Sequence, residues 1–472
     1  MLAEPTPIIK KPPRYRAESC AVGFIFLVAI LTAIFWGIAV NHLAGNVEDD
    51  AGGYDVLAVN LAERHIFSYD GQTPTIDRDP GMPLFLAVIY MIFGHNYMAV
   101  YIIQTILFGF TSVLLFWLAK KILNDKLAFF AAMLTSLFYA FGQFSIMLMT
   151  EMLAAFVLVL VVFFSVRAAE TFKYRYFAIA GLAAGYLALT KSITIFLIGF
   201  LIAGFLIISA RNLNKEIFKK LLVMTLCWAF IIAPWFIRNK IIFHQDAVGV
   251  RMTVNLWAQA KKLNFTGPEL FQYSMAYALG VPLTQYLFPS YQHRWWESAN
   301  DAGHLPYPPA IMEMMKKENI EAHSAPVKKF FGSEYGHYYT DAYRDALRDN
   351  WHKAIYLAGF EIVKLNVLPS PLSPDFGVDG MFSNQPLSAA KAAIIFGMRL
   401  IWIIFFALVA YGIIRSLKNY RQIIFLLIPI VYFCSAYMFF DAISRYALPI
   451  YPYYFIFFII GIGSLAERYK KV

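Results

Sequence analysis

Three acids in a row, Glu48, Asp49 and Asp50, stand directly behind a hydrophobic run long enough to cross a membrane. Arg78 follows in the next polar stretch, just ahead of a Pro-Gly-Met-Pro turn at 80–83. Ionisable groups near lipid are costly, and where they persist they usually have a task. Further along, single ionisable residues mark the ends of other apolar runs: Glu151, Lys191, Arg238 in APWFIRN, and Asp441 and Arg445 in FDAISRYALP. A carboxylate can take a proton from a reacting hydroxyl. Arg and Lys can hold a phosphate and stabilise the charge it gains. Acids and bases gathered at one membrane depth therefore point to an anionic headgroup and a proton-accepting step.

Apolar helices must position these residues. The chain has 472 residues, 60% of them hydrophobic, 17% aromatic and only 15% charged, with a mean hydropathy of +0.57. A soluble domain carries roughly 45–50% apolar and about 25% charged residues. The composition thus excludes an ordinary soluble protein and predicts an all-α polytopic membrane fold. At about 20 apolar residues per crossing, spans are expected at 20–43, 97–119, 127–148, 151–169, 176–190, 192–210, 221–242, 392–414, 421–440 and 447–466. That makes a bundle of about 10 spans. Segment 80–94 is apolar but short for a crossing. It reads as a helix dipping into or lying along the outer leaflet, or as the start of a kinked second span.

Lys and Arg collect in cytoplasmic loops, and here they sort by side. Lys10, Lys11, Arg14 and Arg16 precede the first span; Lys120, Lys121, Lys126, Arg167, Lys173 and Arg175 follow in alternate loops. The same parity holds for Arg211, Lys215, Lys219, Lys220, Arg415, Lys418, Arg421, Arg468, Lys470 and Lys471. Short loops of the other parity hold only Arg64, Arg78, Lys191 and Arg445. Both termini are therefore expected in the cytoplasm of a plasma (inner) membrane, with Asp50 on the extracytoplasmic face. The net charge of +10 follows from this topology and implies no nucleic-acid partner.

The chain divides into a cytoplasmic tail (1–19), an N-terminal transmembrane catalytic module (20–243) with an outer loop (44–82), an extracytoplasmic region (244–391), and C-terminal spans with their tail (392–472). In the polar region, Ala342, Leu347, Trp351, Ile355, Ala358, Ile362 and Leu365 recur at helical spacing. They predict one amphipathic helix over 341–365, laid on the membrane core. Cys20, Cys227 and Cys434 lie in or beside apolar runs, so no extracytoplasmic disulfide framework is expected. His65, His244 and His304 fit no metal spacing. A divalent cation at Asp49/Asp50, bridging a phosphate, is the one metal arrangement left open.

Asp50-Ala-Gly-Gly-Tyr54 is followed by LAVNLAERHIFS, and then by Arg78-Asp-Pro-Gly-Met-Pro-Leu-Phe-Leu-Ala. Next come Gln104, Leu148-Met-Thr-Glu151, Gly181-Leu-Ala-Ala-Gly-Tyr-Leu-Ala-Leu-Thr-Lys191 and Pro234-Trp-Phe-Ile-Arg238-Asn239. In this order and spacing they resemble the GT-C glycosyltransferases that use polyprenyl-phosphate sugars, among them the aminoarabinose transferase of lipid A and the protein O-mannosyltransferases. The resemblance covers the first 240 residues or so; beyond them only the layout is similar. It implies a GT-C-like helix bundle with an outer-face loop domain. It also implies inverting transfer of a sugar from an undecaprenyl- or dolichyl-phosphate donor to a hydroxyl on the outer face. The acceptor would be a membrane lipid, a glycan or a protein.

Asp50 matches the family's catalytic acid after span one and would act as general base, with Asp49 in support. As like charges beside it, Asp49 and Glu48 are expected to strengthen it as a base. Arg78, Lys191, Arg238 and Arg445 would bind the donor phosphate. A helix from 51 to 64 would place Asp50, Tyr54, Ala58 and Leu61 on one face, so that Tyr54 could order the acid or stack on a sugar. Glu151 would support the site.

Plainer roles stand beside these. Asp49 and Asp50 are also good N-cap residues, Arg238 and Lys191 could snorkel at span ends, and Arg445 could pair locally with Asp441. A transporter or flippase of a lipid-linked or anionic substrate would share the hydrophobic layout. It would, however, carry charge along the midplane of its spans, where this chain has almost none. A polymerase or ligase of surface glycans would share the donor chemistry but not the acid loop after span one.

Overall fold

The computed structural model describes residues 15–39, 49–211, 213–244, 251–279, 284, 286–288, 307–320, 335–367 and 388–469. All named elements among them are helices. The first half comprises α1 (Tyr15–Ala39), α2 (Asp49–Arg64), α3 (Gly81–Phe93), α4 (Tyr97–Ala119), α5 (Asp125–Ser136), α6 (Tyr139–Phe144), α7 (Thr150–Thr171), α8 (Tyr174–Thr190), α9 (Leu197–Ser209) and α10 (Lys215–Phe243). The polar region holds α11 (Arg251–Leu263), α12 (Gly267–Leu279), α13 (Pro309–Lys317), α14 (Gly336–Asp349) and α15 (Trp351–Leu365). The chain closes with α16 (Ala389–Ser416), α17 (Tyr420–Tyr437) and α18 (Tyr451–Tyr469).

Among the described residues, 7 stretches are long and apolar enough to cross a membrane. One of them, Phe396–Tyr437, runs through α16, a 3-10 turn and α17. The protein is a multi-pass membrane protein. Two expected spans take other forms. Segment 127–148 is broken at Leu137 and Phe138 into α5 and the short α6, and 176–190 lies within the 17 residues of α8. Helix α3 has 13 residues, short for a crossing as its sequence implies. Its inner face buries Met82, Leu86, Ile89 and Tyr90, while Leu84, Val88, Met91 and Ile92 form an exposed apolar stripe suited to lipid.

The glycines of GLAAGY explain how α8 meets α10. A Cβ on Gly181 would lie 2.1 Å from the carbonyl oxygen of Met224, and one on Gly185 would lie 2.8 Å from that of Trp228. Small residues four apart let two helix backbones touch in lipid, where hydrophobicity gives little drive to associate.

The helix ends sort into two sides. On one, Lys120 pairs with Glu18 at 3.0 Å, Lys121 with Glu170 at 2.7 Å, and Tyr174 donates to Glu216 at 3.0 Å. The start of α1 and the basic loops lie there. On the other side lie the start of α2, the start of α7, and the ends of α8 and α17, which together build the candidate site.

The polar region has its own core, formed by Trp257, Leu263, Tyr273, Ile311, Tyr339 and Phe360 among others, separate from that of the bundle. Here the expectation of one helix over 341–365 is corrected. Asn350 interrupts it, with φ −129° and ψ 34°, and gives α14 and α15. Trp351 and Ile355, taken as core-facing, are 63% and 67% exposed. Leu365 is buried as expected, but it shares the buried face of α15 with Leu357, Phe360, Glu361 and Lys364, so two charges lie inside where the spacing placed them outside.

Candidate active site

Helix α2 begins at Asp49, which puts Asp50 in its first turn, where the helix dipole favours an anion. The side chain of Asp49 and all of Glu48 lie outside the described residues, as does His304. One turn further on, Tyr54 faces the same way, and the guanidinium of Arg78 lies 5.0 Å from its ring centre. Arg78 donates from Nη1 to Asp50 Oδ1 at 2.5 Å. Gly53 makes room for this, since a Cβ there would stand 3.1 Å from Nη2 and 3.3 Å from Nε of Arg78. Burial works against the charge on Arg78, but Tyr54 and Asp50 more than offset it and hold its pKa above the ordinary guanidinium value.

A second guanidinium reaches the other oxygen. Arg445 Nη2 donates to Asp50 Oδ2 at 2.8 Å. It comes from a 3-10 segment, Ser444–Ile450, between α17 and α18. The alternative of a local pair between Arg445 and Asp441 does not occur; Asp441 pairs with Lys262 and Lys364 of the polar region. Arg445 Nε also stands 3.9 Å from Glu151 Oε1, and Lys191 Nζ reaches the same oxygen at 3.2 Å. Arg78, Asp50, Arg445, Glu151 and Lys191 thus form one run of alternating charge. The ring of Tyr446 lies between its last two cations, 5.0 Å from Lys191 Nζ and 5.6 Å from Arg445 Cζ.

Backbone contacts fix Glu151 and Lys191. Gln104 donates to the carbonyl of Met147 at 2.7 Å and pins the extended turn before α7, whose first turn carries Glu151. After α8 the chain turns sharply at Lys191; Thr194 Oγ1 donates to the Lys191 carbonyl at 2.8 Å, and Asp79 accepts from the Ser192 amide at 2.8 Å. Gly81 lets α3 lie against this turn, because a Cβ there would come within 2.6 Å of Thr190 backbone atoms. Tyr186 bonds the Gly81 carbonyl at 3.0 Å.

These side chains line a cavity of about 130 Å³ at the end of the bundle. Asp50, Tyr54, Arg78, Glu151, Lys191 and Arg445 all face it, together with Asp77, Asp79, Asn255, Tyr437 and Tyr446, which were not anticipated. The cavity therefore draws on residues beyond 243 as well as on the N-terminal module. Arg238 is the exception among the expected cations. Its guanidinium donates to Asn239 at 2.8 Å and to the Thr75 carbonyl at 3.1 Å, and lies 4.5 Å from the Trp235 ring. It ties the 65–77 loop to α10 and does not line the cavity. His65 and His244 end α2 and α10 in left-handed conformations, with φ of 57° and 54°.

Two guanidinium groups on one carboxylate favour its ionised form. The expected effect of Glu48 and Asp49 on Asp50 rests on side chains outside the described residues. Among the described residues no three His, Cys, Asp or Glu side chains gather in a way that could hold a metal ion.

Residues 77–237 match the family model described as dolichyl-phosphate-mannose-protein mannosyltransferase. The match takes in Arg78, Glu151 and Lys191 and leaves out Asp50 and Arg445. No curated protein sequence matches the chain. Among solved structures, the apo oligosaccharyltransferase of Archaeoglobus fulgidus superposes with a TM-score of 0.52 at 14% identity, over 96% of this chain and 51% of that one. The archaeal oligosaccharyltransferase AglB of the same organism, in complex with an inhibitory peptide and a dolichol-phosphate, gives 0.50 at 13% identity, over 96% and 51%. ArnT from Cupriavidus metallidurans bound to undecaprenyl phosphate is a looser likeness, with a TM-score of 0.40 at 14% identity, over 94% of this chain and 79% of that one. The chain spans about half the length of the oligosaccharyltransferase structures, 51% of each. Its fold is the GT-C-type helix bundle.

Proposed function

We propose that the chain is an inverting membrane glycosyltransferase that moves a sugar from a polyprenyl phosphate to an acceptor hydroxyl. The carrying observation is Asp50 held between Arg78 and Arg445, beside Glu151 and Lys191, in a cavity at the mouth of an apolar bundle. A sugar hydroxyl is a weak nucleophile until a positioned base takes its proton in the transition state; Asp50 is that base. The leaving lipid phosphate gains negative charge as its bond to the sugar breaks. Arg78, Arg445 and Lys191 stand ready to stabilise it, the arginines with forked donors.

The same guanidiniums couple the two tasks. A phosphate within their reach shares N–H donors with Asp50, and each donor it draws away leaves the carboxylate a better proton acceptor. Tyr54 and Tyr446 offer faces on which a sugar can rest. The fold and the family match over 77–237 support the reading. The sorting of Lys and Arg supports a site on the extracytoplasmic face of the plasma membrane, with both termini inside.

The deciding experiment offers polyprenyl-phosphate sugars and candidate acceptors to the purified chain in lipid nanodiscs. Asp50→Asn should cut transfer about 10²–10⁴-fold while a lipid phosphate still binds. Lys191→Ala and Arg445→Ala should raise the donor KM more than they lower kcat at saturation. Near-normal transfer by Asp50→Asn overturns the assignment of the base, and unchanged donor affinity in both cation variants overturns theirs.

A further inference from the structure

Four charges, three of them buried and Asp441 half-buried, lie away from the cavity, where the polar region 251–367 meets the bundle. Lys262 of α11 contacts Glu361 of α15 and donates to Asp441 at 2.6 Å. Lys364 donates to the same oxygen of Asp441 at 2.6 Å, to the Tyr273 hydroxyl at 2.9 Å, and lies 3.5 Å from Glu361. Glu361 Oε2 accepts from the backbone amide of Ala442 at 2.8 Å. The side chains of Lys262, Glu361 and Lys364 are 5%, 0% and 1% exposed. The cluster is neutral overall, and every member has a partner of opposite charge, as buried charge requires.

Its place in the chain gives it a consequence. Asp441 and Ala442 stand four and three positions before Arg445, and Ala442, Ile443 and Ser444 between them are buried. The 3-10 segment that aims Arg445 at Asp50 starts at Ser444. The same α11 that supplies Lys262 also supplies Asn255, seven residues earlier on the same helical face, to the wall of the cavity. The polar region therefore grips the connector at one point and touches the site at another.

We propose that Lys262, Glu361 and Lys364 are positioning residues: through Asp441 and the Ala442 amide they hold the connector so that Arg445 reaches Asp50. They touch neither phosphate nor sugar. Helices α11 and α15 thereby become part of the machinery that aims Arg445, and the bundle alone does not complete the site. The inference rests on the functional reading above for its effect on transfer, but not for the anchoring itself.

A single substitution would strand a buried charge and could unfold the chain. The test therefore removes one ion pair as a unit. Lys262→Met with Glu361→Leu keeps the cluster neutral and leaves Lys364 on Asp441. Hydrogen exchange of the 441–450 segment, followed by mass spectrometry, reads the anchor without any activity; it should quicken in the double variant while the melting temperature stays near that of the native chain. Transfer should fall about 10–100-fold, the cost of a catalytic group displaced by about an ångström. In an Arg445→Ala background the same pair should cost less than about twofold, whereas independent sites would simply multiply. Unchanged exchange in 441–450 overturns the proposal, and so do losses that multiply. Should the native chain transfer no sugar from any lipid phosphate, the functional reading is what fails, and the exchange measurement still decides the anchor.

Discussion

Asp50 and Arg445 stand 395 positions apart in the chain and meet at 2.8 Å. The contact joins the start of α2 to the turn between the last two long apolar helices. With Arg78 on its other oxygen, Asp50 draws its partners from a loop 28 residues on and from the far end of the chain. The polar site is thus the place where the two ends of the bundle are fastened together. On the proposed reading, forces that close the fold and forces that set the chemistry act on the same carboxylate.

Gly53 and Gly81 should separate these two roles. A Cβ at Gly53 first meets the guanidinium of Arg78, at 3.1 and 3.3 Å, whereas one at Gly81 meets the backbone of Thr190 at 2.6 Å. A side-chain tip can yield by a few tenths of an ångström; a helix backbone cannot without repacking. Gly53→Ala should therefore lose about tenfold or more in transfer, through a shifted Arg78, and melt within a few degrees of the native chain. Gly81→Ala should lose about 1–3 kcal/mol of stability or more by overpacking. Thermal melts in nanodiscs, run beside activity assays, check both. A Gly53→Ala chain that unfolds while Gly81→Ala melts normally would contradict the assignment.

Glu151 and Lys191 form an ion pair with side chains only 2% and 9% exposed. Breaking one partner of such a pair leaves an uncompensated buried charge and costs about 3–5 kcal/mol, while an apolar replacement of both is often neutral. Lys191→Met alone should therefore depress the melting temperature more than Lys191→Met combined with Glu151→Leu. The donor KM should rise in both, since the double variant also lacks the cation proposed to hold the phosphate. Recovery of stability together with transfer in the double variant would make the pair purely structural.

Asp50, Arg78, Glu151, Lys191 and Arg445 were legible because each sits where an apolar run ends, so depth in the membrane alone brings them together. Arg238 satisfies the same condition and still misses the cavity, because depth says nothing about direction around the helix axis; it points to Thr75 and Trp235 instead. Asp77 and Asp79 flank Arg78 in a run of three charges before the Pro-Gly turn, a signal present in the sequence and passed over. Lys262, Glu361 and Lys364 carried no such signal. Their spacing is that of an ordinary solvated helix face, and only the tertiary arrangement, which presses that face on Asp441, turns it inward. The break at Asn350 was hidden for a related reason, since apolar spacing continues smoothly across it.

The cluster at Asp441 should leave a mark on pH stability. Burial pushes the carboxyl of Asp441 up, but the charges of Lys262 and Lys364 more than reverse this and hold it well below the usual carboxylate range. A depressed carboxyl contributes stability that is fully present above its unfolded value of about 3.9 and is lost as pH falls through the folded value. For Lys364, burial lowers the value, yet Asp441 and Glu361 hold it well above normal; its contribution is present below about pH 10.4 and is lost as pH rises through the folded value. The melting temperature should thus be nearly flat from about pH 5 to about pH 9 and drop below about pH 4. Asp441→Asn should start from a lower plateau with a shallower acid limb. Identical acid limbs in the two proteins would remove Asp441 from the account.

Sidedness is decided by labelling. The loop between α2 and α3 lies on the cavity side and exposes Gln72, whereas Lys173 stands exposed between α7 and α8, on the side of the Lys120–Glu18 and Lys121–Glu170 pairs. The excess of Lys and Arg on that second side implies that it faces the cytoplasm. Gln72→Cys, in a background where Cys20, Cys227 and Cys434 are replaced by Ser, should react with a membrane-impermeant maleimide in intact cells. Lys173→Cys should react only after permeabilisation. The pair is informative because each position is exposed in its own right, so a failure to label reports the membrane and not burial. The opposite pattern would put Asp50 and its two arginines in the cytosol, where an acceptor on the outer envelope could not reach them, and the proposed direction of transfer would fall with it.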